Sequence, residues 1–482
     1  MKLKDYNFGY TDAIQEYIKI PGFFESVFYD KRNLIEKLLN GTIFLLIGRK
    51  GVGKSAYSAK IQSIGEKDTF LKVSAKNFSN FEFSIFAKNG INSNVTGPIK
   101  YKSAWDFLLL KSIYQILYKE LGITETEGVN KVVSILSTYG FDIDECNLNM
   151  DAIKLKKIKG GLSIKFANAE FEFDRVDPIN PKNYPELLGM LISIMQKNLE
   201  EVYLNQHKIV IIIDGLDDII RYKNKQTTII SSLIRSIKEL NLKMTEMNKD
   251  IRFIILIRDS IVALMNDPDL NKIIQDCSFR LNWNNRLNDL KELINLRFKF
   301  TETGLRNNES NWDTIFPYRI EGKSSWEYAL QYTLYKPRDI LSMLKICQEK
   351  CYNKETVPKV KFKEILRIYA NDYFIGELKD ELSGFIADEV VSQVPNILFS
   401  LVSLDEFGIQ DVERIISDIC VREDLLDNSK IKLLLLHLFD AGYIGQKFEN
   451  TIIFKYMHPH IVINYNYKFV IHRGIRRAFT GL

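Results

Sequence analysis

The chain has 482 residues, of which 46% are hydrophobic and 26% are charged, and its formal net charge is +5 at pH 7. This length predicts two or three domains, and the composition excludes extensive disorder. Five irregularly spaced cysteines argue against a disulfide framework, and no run approaches the ~18 apolar residues that a membrane span needs. We therefore expect a cytoplasmic protein.

Charge is unevenly distributed along the chain. Residues 363–442 contain 7 Lys and Arg against 16 Asp and Glu, whereas residues 443–482 contain 6 against 1. We expect any surface that binds a polyanion to lie at the C-terminal end.

The first elements in chain order predict an α/β fold. Residues 41–48 form a short apolar run between glycines, which is typical of a strand buried on both faces of a parallel sheet. A helical pattern follows over 55–64, and a second strand is predicted at 69–74. Strand, helix, strand is the repeating unit of a parallel sheet covered by helices.

Further elements extend this sheet. Residues 101–121 and 184–204 have apolar residues at helical spacing. Between them we place an insertion, at about 122–185, in which the alternating segment 159–173 predicts a strand or hairpin. Three further strands are predicted at 208–214, 251–258 and 277–283.

The remainder of the chain is helical in pattern. Helices predicted at 287–300, 326–335 and 337–352 indicate a lid domain. Helices continue from 361 and end in the order helix, glycine turn, strand, strand, which is typical of a winged helix. We predict an α/β P-loop NTPase core with a parallel sheet at 1–285, a helical lid at 286–360, and a helical and winged-helix-like domain at 361–482.

A phosphate-binding motif lies between the first strand and the first helix of the predicted core. It satisfies G-x-x-x-x-G-K-[ST], and the candidate nucleotide-binding residues are Gly48, Arg49, Lys50, Gly51, Val52, Gly53, Lys54, Ser55 and Ala56. Its glycines let backbone N–H groups close around phosphates, and a helix N-terminus favours anions. In such loops the lysine, here Lys54, reaches the β- and γ-phosphates and the hydroxyl, here Ser55, ligates Mg²⁺. The expected cofactors are ATP and Mg²⁺.

Acidic residues follow the most hydrophobic strand. Asp214 ends it, at a position where a carboxylate can hold the magnesium shell, so Ser55 and Asp214 are the candidate metal ligands. Glycine follows Asp214, so Asp217 or Asp218 must polarise the attacking water. The alternative is that both aspartates only begin a helix as N-cap residues.

Two arginines are candidate nucleotide sensors. Arg258 ends the strand after Asp214, although an arginine there is often simply solvated. Arg338 follows a proline that opens a helix of the lid, from which it can close onto the phosphates.

These motifs together resemble the STAND and Cdc6/Orc-like branch of AAA+ ATPases. The resemblance covers about residues 20–350 and rests on the P-loop, on Ile-Asp-Gly-Leu-Asp-Asp at 213–218, on the strand end at Arg258 and on Lys-Pro-Arg at 336–338. It implies a nucleotide-controlled switch with a helical sensor domain and a winged helix. No effector domain is evident at either end, so the resemblance implies only an ATP switch acting on a separately encoded protein effector, with antiviral defence as a typical setting.

Slow hydrolysis is expected because an acidic residue is missing directly after Asp214. An alternative function is nucleic-acid binding through a basic cluster at the C-terminus, formed by His472, Arg473, Arg476 and Arg477. The alternative, which we favour, is that this cluster is simply the solvated face of a terminal helix. A zinc site from Cys347, Cys351, His458 and His460 is disfavoured, because cysteines at helical spacing are commonly buried and inert.

Nucleotide-dependent assembly into a homo-oligomer is also expected, because ATPases of this type receive an arginine from a neighbouring subunit. The candidates for that role are Arg221, Arg280 and Arg286, and for each the alternative is a local surface ion pair.

Overall fold

The computed structural model describes residues 1–78, 98–123, 127–139, 141, 143, 162–166, 169–173, 184–216, 227–265, 267–284, 288–300, 310–419 and 428–480. The chain divides into two compact units. The sheet unit comprises Asn33–Ile47 and Ile61–Phe279. The P-loop unit comprises Met1–Arg32, Gly48–Lys60 and Arg280–Leu482. The domain boundaries predicted at 285 and 360 stay predictions.

A five-stranded sheet forms the centre of the sheet unit. Its strands lie side by side in the order Leu71–Asn77, Lys208–Asp214, Ile251–Ile257, Leu45–Ile47 and Ser278–Arg280. The strands Leu71–Asn77 and Lys208–Asp214 pair in parallel with Asn77 opposite Asp214, and Leu45–Ile47 pairs in parallel with Ile251–Ile257 with Ile47 opposite Ile257. Five consecutive residues of the strand at 208–214 are buried, since helices cover both faces of such a sheet. The predicted α/β P-loop NTPase fold with a parallel sheet is confirmed.

Helices of the sheet unit pack beside these strands. Trp105 Nε1 donates a hydrogen bond to Ile229 O at 3.0 Å, and the Tyr114 hydroxyl donates to Met195 O at 2.7 Å. These two bonds tie together the three longest helices of the unit. The helices, including one that begins in the P-loop unit, are Leu34–Leu39, Lys54–Lys67, Lys102–Lys119, Glu127–Thr138, Tyr184–Glu201, Thr227–Glu246, Asp259–Ala263 and Pro268–Cys277.

The predicted insertion is partly described. Its helix Glu127–Thr138 contacts the helices Lys102–Lys119 and Tyr184–Glu201. Strands Leu162–Phe166 and Ala169–Phe173 pair antiparallel, which confirms the predicted hairpin. Residues 144–161 and 174–183 of the insertion lie outside the described residues.

Aromatic packing and a buried ion pair help to hold the first half of the P-loop unit. Trp312 stacks on Phe316 with ring centroids 4.0 Å apart. Arg297 binds Glu16 through two hydrogen bonds of 2.7 and 2.9 Å, an arrangement that satisfies both buried charges. The helices are Ala13–Lys19, Pro21–Val27, Asp289–Phe298, Trp312–Ile315, Ser325–Leu330 and Pro337–Lys350, and a short hairpin pairs Arg319–Ile320 with Lys323–Ser324.

The C-terminal part of this unit is helical and ends in a small sheet. Its helices are Lys359–Ile368, Tyr369–Phe374 (a π-helical turn), Ile375–Leu382, Asp388–Val402, Ile409–Ile419, Asn428–Ala441 and Arg473–Thr480. Strands Ile444–Phe448, Thr451–Ile453 and Lys468–Ile471 form an antiparallel sheet with the first in the middle. The predicted order of helix, glycine turn, strand, strand is confirmed. The strand Lys468–Ile471 was missed because it is short and follows a polar segment.

Candidate functional site

The phosphate-binding loop occupies the predicted place between a strand and a helix. Leu45–Ile47 ends directly before Gly48, and the helix Lys54–Lys67 begins at the motif lysine. Gly51 and Gly53 have φ of +79° and +100°, a backbone region that other residues adopt only with strain. A side chain on Gly53 would meet no atom within 4 Å, so backbone conformation rather than space requires glycine there. The loop therefore has the tight, glycine-dependent turn that phosphate binding needs.

Polar groups of the loop are held in place from within. Lys54 Nζ donates to Gly48 O at 2.9 Å and to Arg49 O at 3.3 Å. Ser55 follows in the first turn of the helix and is half-buried. The lysine ammonium and the serine hydroxyl thus lie at the helix N-terminus, where an anion is favoured.

Trp283 braces the loop from the chain segment after the last strand of the sheet. Its indole Nε1 donates to Val52 O at 2.8 Å, and its side chain is buried. Lys31 lies 4.9 Å from the Trp283 ring centroid and forms a buried ion pair with Asp289 at 3.2 Å. A buried carbonyl with a fixed donor restrains the peptide between Val52 and Gly53.

The Lys-Pro-Arg segment lies against the loop, within the P-loop unit. A Cβ placed on Gly51 would be 3.4 Å from Lys336 Cδ and 3.4 Å from Arg338 Cβ. Pro337 opens the helix Pro337–Lys350, as predicted, and Lys336 is its N-cap residue. The fold therefore brings Arg338 beside the phosphate-binding loop, and it adds Lys336, which the sequence analysis did not select.

Arg49 connects the loop to the C-terminal sheet region. Its Nη2 donates to Leu334 O at 2.6 Å, and its guanidinium lies 5.4 Å from the Tyr456 ring centroid. The Tyr456 hydroxyl is 3.1 Å from His472 Nε2, and Gly474 N–H donates to His472 Nδ1. Because Nδ1 accepts, the proton of the neutral ring is on Nε2. Burial lowers the pKa of His472 to about 3, which keeps the ring neutral at pH 7.

Two predicted residues lie at strand ends in the sheet unit. Asp214 ends its strand half-buried, and its Oδ1 accepts from Gly215 N–H at 2.8 Å. Arg258 directly follows Ile251–Ile257 and is 7% exposed, so the alternative of a simply solvated arginine is wrong. Ser55 belongs to the P-loop unit and Asp214 to the sheet unit, and their joint role at magnesium stays a prediction.

Other predicted residues cannot be placed. Asp217 and Asp218 lie outside the described residues, as do Arg221 and Arg286. Arg280 is exposed at the end of the strand Ser278–Arg280. The roles predicted for these residues in water activation and at a neighbouring subunit stay predictions.

Comparison with known families decides what this site belongs to. The model of the KAP family P-loop domain matches residues 32–325, which is more than half of the chain and includes the loop. The chain belongs to the KAP family. The model of the FunZ-associated C-terminal helical domain matches residues 288–374. A KAP-family P-loop NTPase domain is a nucleotide-binding domain.

Two proteins resemble this KAP-family chain in sequence. The putative transposon gamma-delta 80.3 kDa protein of Escherichia coli K12 is 24% identical over an alignment of 463 positions, gaps included, that covers 89% of this chain and 61% of that protein. The chain thus spans about three fifths of that relative's length. Allergen Alt a 2 of Alternaria alternata is 30% identical over 82 residues, 16% of this chain and 40% of that protein.

Solved structures with low similarity to this chain include the following two proteins. The ORC2 protein of Aeropyrum pernix, in ADPNP-ADP complexes, is 11% identical with a TM-score of 0.40, over 96% of this chain and 92% of that chain. Cdc6p of Pyrobaculum aerophilum is 12% identical with a TM-score of 0.32, over 95% and 97%.

The arginines of the C-terminal cluster in this KAP-family protein are bound within the fold. Arg477 is 8% exposed and donates to Lys363 O at 2.9 Å. Arg476 Nη2 donates to Leu404 O at 2.7 Å, and Arg473 donates to Gln331 Oε1. His472 is 1% exposed. Arg473 is exposed, as the alternative of a solvated helix face predicts, but that alternative is wrong for His472 and Arg477.

The described residues offer neither a metal-binding cluster nor a membrane-spanning helix. No group of three or more His, Cys, Asp or Glu side chains in the described part of the chain is arranged to hold a metal ion. Cys347 and Cys351 are buried free thiols, as the alternative to zinc predicts. No helix within the described ranges is long and apolar enough to cross a membrane.

Sequence reasoning missed the residues that support the loop. Trp283, Lys336, Tyr456 and His472 reach it or its partners from distant parts of the chain. Only Lys336 carried a usable signal, because it adjoins the predicted sensor Arg338. Indole and phenol side chains in an apolar sequence look like ordinary core residues.

Proposed function

We propose that this KAP-family protein is an ATP-dependent molecular switch that binds ATP with Mg²⁺ and hydrolyses it slowly. The observation that carries the proposal is the loop itself: Gly51 and Gly53 at positive φ, between a buried strand and a helix that begins at Lys54. Such a loop binds the phosphates of a nucleotide through backbone N–H groups and lysine. Lys336 and Arg338 lie beside the loop and supply further positive charge.

Magnesium fits the oxygen ligands that the chain offers. Mg²⁺ prefers hard oxygen donors and is usually held by one or two protein groups together with phosphate oxygens. Our proposed ligands are the Ser55 hydroxyl and the Asp214 carboxylate. Bound Mg²⁺ would neutralise charge on the phosphates, while Lys54 orients them and Arg258 and Arg338 respond to the γ-phosphate.

Water activation is assigned to Asp217 or Asp218 in this proposal. Gly215 directly follows Asp214, so the activating carboxylate must come from further along the chain. Replacement of the responsible aspartate by alanine should lower turnover and leave ATP affinity unchanged. If Asp217→Ala and Asp218→Ala both hydrolyse ATP normally, neither residue has this role.

The output of the switch is proposed from the resemblance to STAND and Cdc6/Orc-like ATPases. We propose a nucleotide-dependent homo-oligomer, with a winged helix near the C-terminus, that acts on a separately encoded effector, with antiviral defence as the setting. Light scattering with and without ATP and Mg²⁺ tests the assembly: a mass that stays monomeric at micromolar concentration rules it out. Direct nucleic-acid binding is not favoured, because Arg476 and Arg477 bind backbone carbonyls.

Phosphate release under saturating Mg²⁺ and ATP tests the enzymatic proposal. We expect turnover below about 1 s⁻¹ for the unmodified protein, and a loss of about 100-fold or more in Lys54→Ala and in Asp214→Asn. Asp250→Asn is the control. This half-exposed aspartate forms a surface ion pair with Lys208, which begins the strand that Asp214 ends. If the unmodified protein and all three variants hydrolyse ATP at the same rate, the proposed site does not catalyse the reaction.

A further inference from the structure

Cations beside the phosphate-binding loop face carboxylates of one helix, Ile375–Leu382, which we name the acidic helix. Lys50 Nζ lies 2.9 Å from Asp380 Oδ2 and 3.7 Å from Glu377 Oε2. Arg338 Nη1 lies 3.9 Å from Glu377 Oε2, and Lys336 Nζ lies 2.9 Å from Glu381 Oε1. One face of a single helix therefore neutralises a loop lysine and both cations of the Lys-Pro-Arg segment.

The sequence explains why these carboxylates act together. Glu377, Asp380 and Glu381 are three and four residues apart, so they share one face of the helix. Leu378 and Leu382 of the same helix are fully buried and anchor it in the core of the P-loop unit. The carboxylates are thus presented to the loop by packing that does not depend on the loop.

Burial divides these ion pairs into two kinds. The side chains of Lys336 and Glu381 are 3% and 13% exposed, and a buried pair is costly to separate. Asp380 is 62% exposed, and its pair with Lys50 is therefore weak and screened by water. Glu377 is 17% exposed, but its distances of 3.7 Å to Lys50 and 3.9 Å to Arg338 are longer than those of a direct hydrogen bond. Lys50 and Arg338 are therefore held less tightly than Lys336, whose pair with Glu381 keeps the acidic helix attached.

Phosphate oxygens compete for the same cations. They accept hydrogen bonds from ammonium and guanidinium groups as carboxylates do, and a triphosphate carries several charges where Asp380 carries one. Lys50 is itself a residue of the loop that, on the proposed function, receives the triphosphate. A cation held by Asp380 or Glu377 is less available to that ligand.

We propose that the acidic helix is an autoinhibitory latch: Glu377 and Asp380 hold Lys50 and Arg338 until nucleotide phosphates take these cations, which loosens the acidic helix. The latch rests on the proposed nucleotide binding. It lowers nucleotide affinity, because the competent arrangement must first give up ion pairs. Through the same ion pairs, a nucleotide bound at the loop would change how firmly the helices after residue 368 are held.

Titration of Mg²⁺ and ATP by calorimetry tests the latch. We expect Asp380→Asn to bind about threefold more tightly than the unmodified protein, and Glu377→Gln with Asp380→Asn about tenfold more tightly. The matched control is Asp372→Asn, which removes the same charge from an exposed position in the preceding helical turn. Asp380 is exposed enough that its amide variant should fold, and a melting curve of each variant checks this.

Hydrogen exchange provides the second readout. Addition of inorganic triphosphate with Mg²⁺ should speed amide exchange over 369–382 in the unmodified protein, and should change it little in the double variant, where the latch is already open. Unchanged affinity in both amide variants, or an equal gain in Asp372→Asn, overturns the latch and leaves nucleotide binding intact. An unmodified protein that binds no nucleotide overturns both the latch and the proposed function.

Discussion

The phosphate-binding loop and the C-terminal helix Arg473–Thr480 both concentrate positive charge, but their cations have different partners. Lys50 faces the carboxylates of Glu377 and Asp380. Arg477 donates instead to the backbone carbonyl of Lys363. A phosphate can replace a carboxylate at a lysine, whereas removing Arg477 takes a donor away from a partly buried carbonyl. The partner, rather than the density of charge, separates a ligand-binding cation from a structural one.

The largest effect that would sharpen this contrast is expected at Arg477. Arg477→Ala should lower the free energy of unfolding by about 2–3 kcal/mol, because it removes a buried guanidinium that donates to the partly buried carbonyl of Lys363 and packs over Tyr332. ATP affinity should change less than about twofold, because Arg477 is not a residue of the phosphate-binding loop. Urea unfolding and an ATP titration measure the two quantities.

Arg473→Ala is the control for that experiment. This exposed residue of the same helix should cost no more than about 0.5 kcal/mol. A variant of Arg477 that unfolds normally but loses nucleotide would break the contrast between the two regions.

The next effect is a loss of stability in acid that comes from two histidines, the buried His472 and the half-buried His437. Burial lowers the pKa of His472 to about 3 and that of His437 to about 4, whereas an unfolded histidine has a pKa near 6.5. Stability is therefore complete above pH 6.5 and falls as the pH drops toward these folded values. At pH 5 each histidine should cost about 2 kcal/mol.

Unfolding experiments between pH 7.5 and 5 measure this loss. His472→Gln should reduce the slope of unfolding free energy against pH, because the group that must stay neutral is gone. His460→Gln, at an exposed position, should keep the slope of the unmodified protein. An undiminished slope in His472→Gln would show that this ring does not control acid stability.

The smallest of these effects is expected at Trp283. Trp283→Phe keeps an aromatic ring but removes the donor to Val52 O, so the loop should lose part of its fixed conformation. We expect ATP affinity to fall about fivefold, in line with a lost buried hydrogen bond of about 1 kcal/mol. Calorimetric titration measures this change. Trp326→Phe, a buried control away from the loop, should affect stability alone, and equal affinity losses in both variants would argue against a specific brace.

Local patterns made the loop and the parallel sheet predictable. The loop depends on glycine positions within eight residues and on the apolar strand before it, so its signal is contained in one short segment. Arg338 was found for a similar reason, because Pro337 marks the start of its helix. Isoleucine-rich runs identified the buried strands without any tertiary information.

Long-range partners were not predictable in the same way. Trp283 and Val52 are 231 residues apart, and Lys50 and Asp380 are 330 residues apart. Nothing in either local sequence indicates the other. The burial of His472 and Arg477 was not predicted, because a basic cluster has the same local pattern whether its partners are phosphates, water or the protein's own carbonyls.

Binding of ATP with Mg²⁺ to the loop is the central claim, and equilibrium calorimetry on three proteins tests it most directly. The unmodified protein and Lys67→Ala, altered at the exposed end of the same helix, should bind one ATP per chain with equal affinity. Lys54→Ala should bind at least about 30-fold more weakly, because it loses a charge-assisted contact to the phosphates. Equal binding by Lys54→Ala, or no binding by the unmodified protein, would contradict the assignment of Gly48, Lys54 and Ser55 to a nucleotide site.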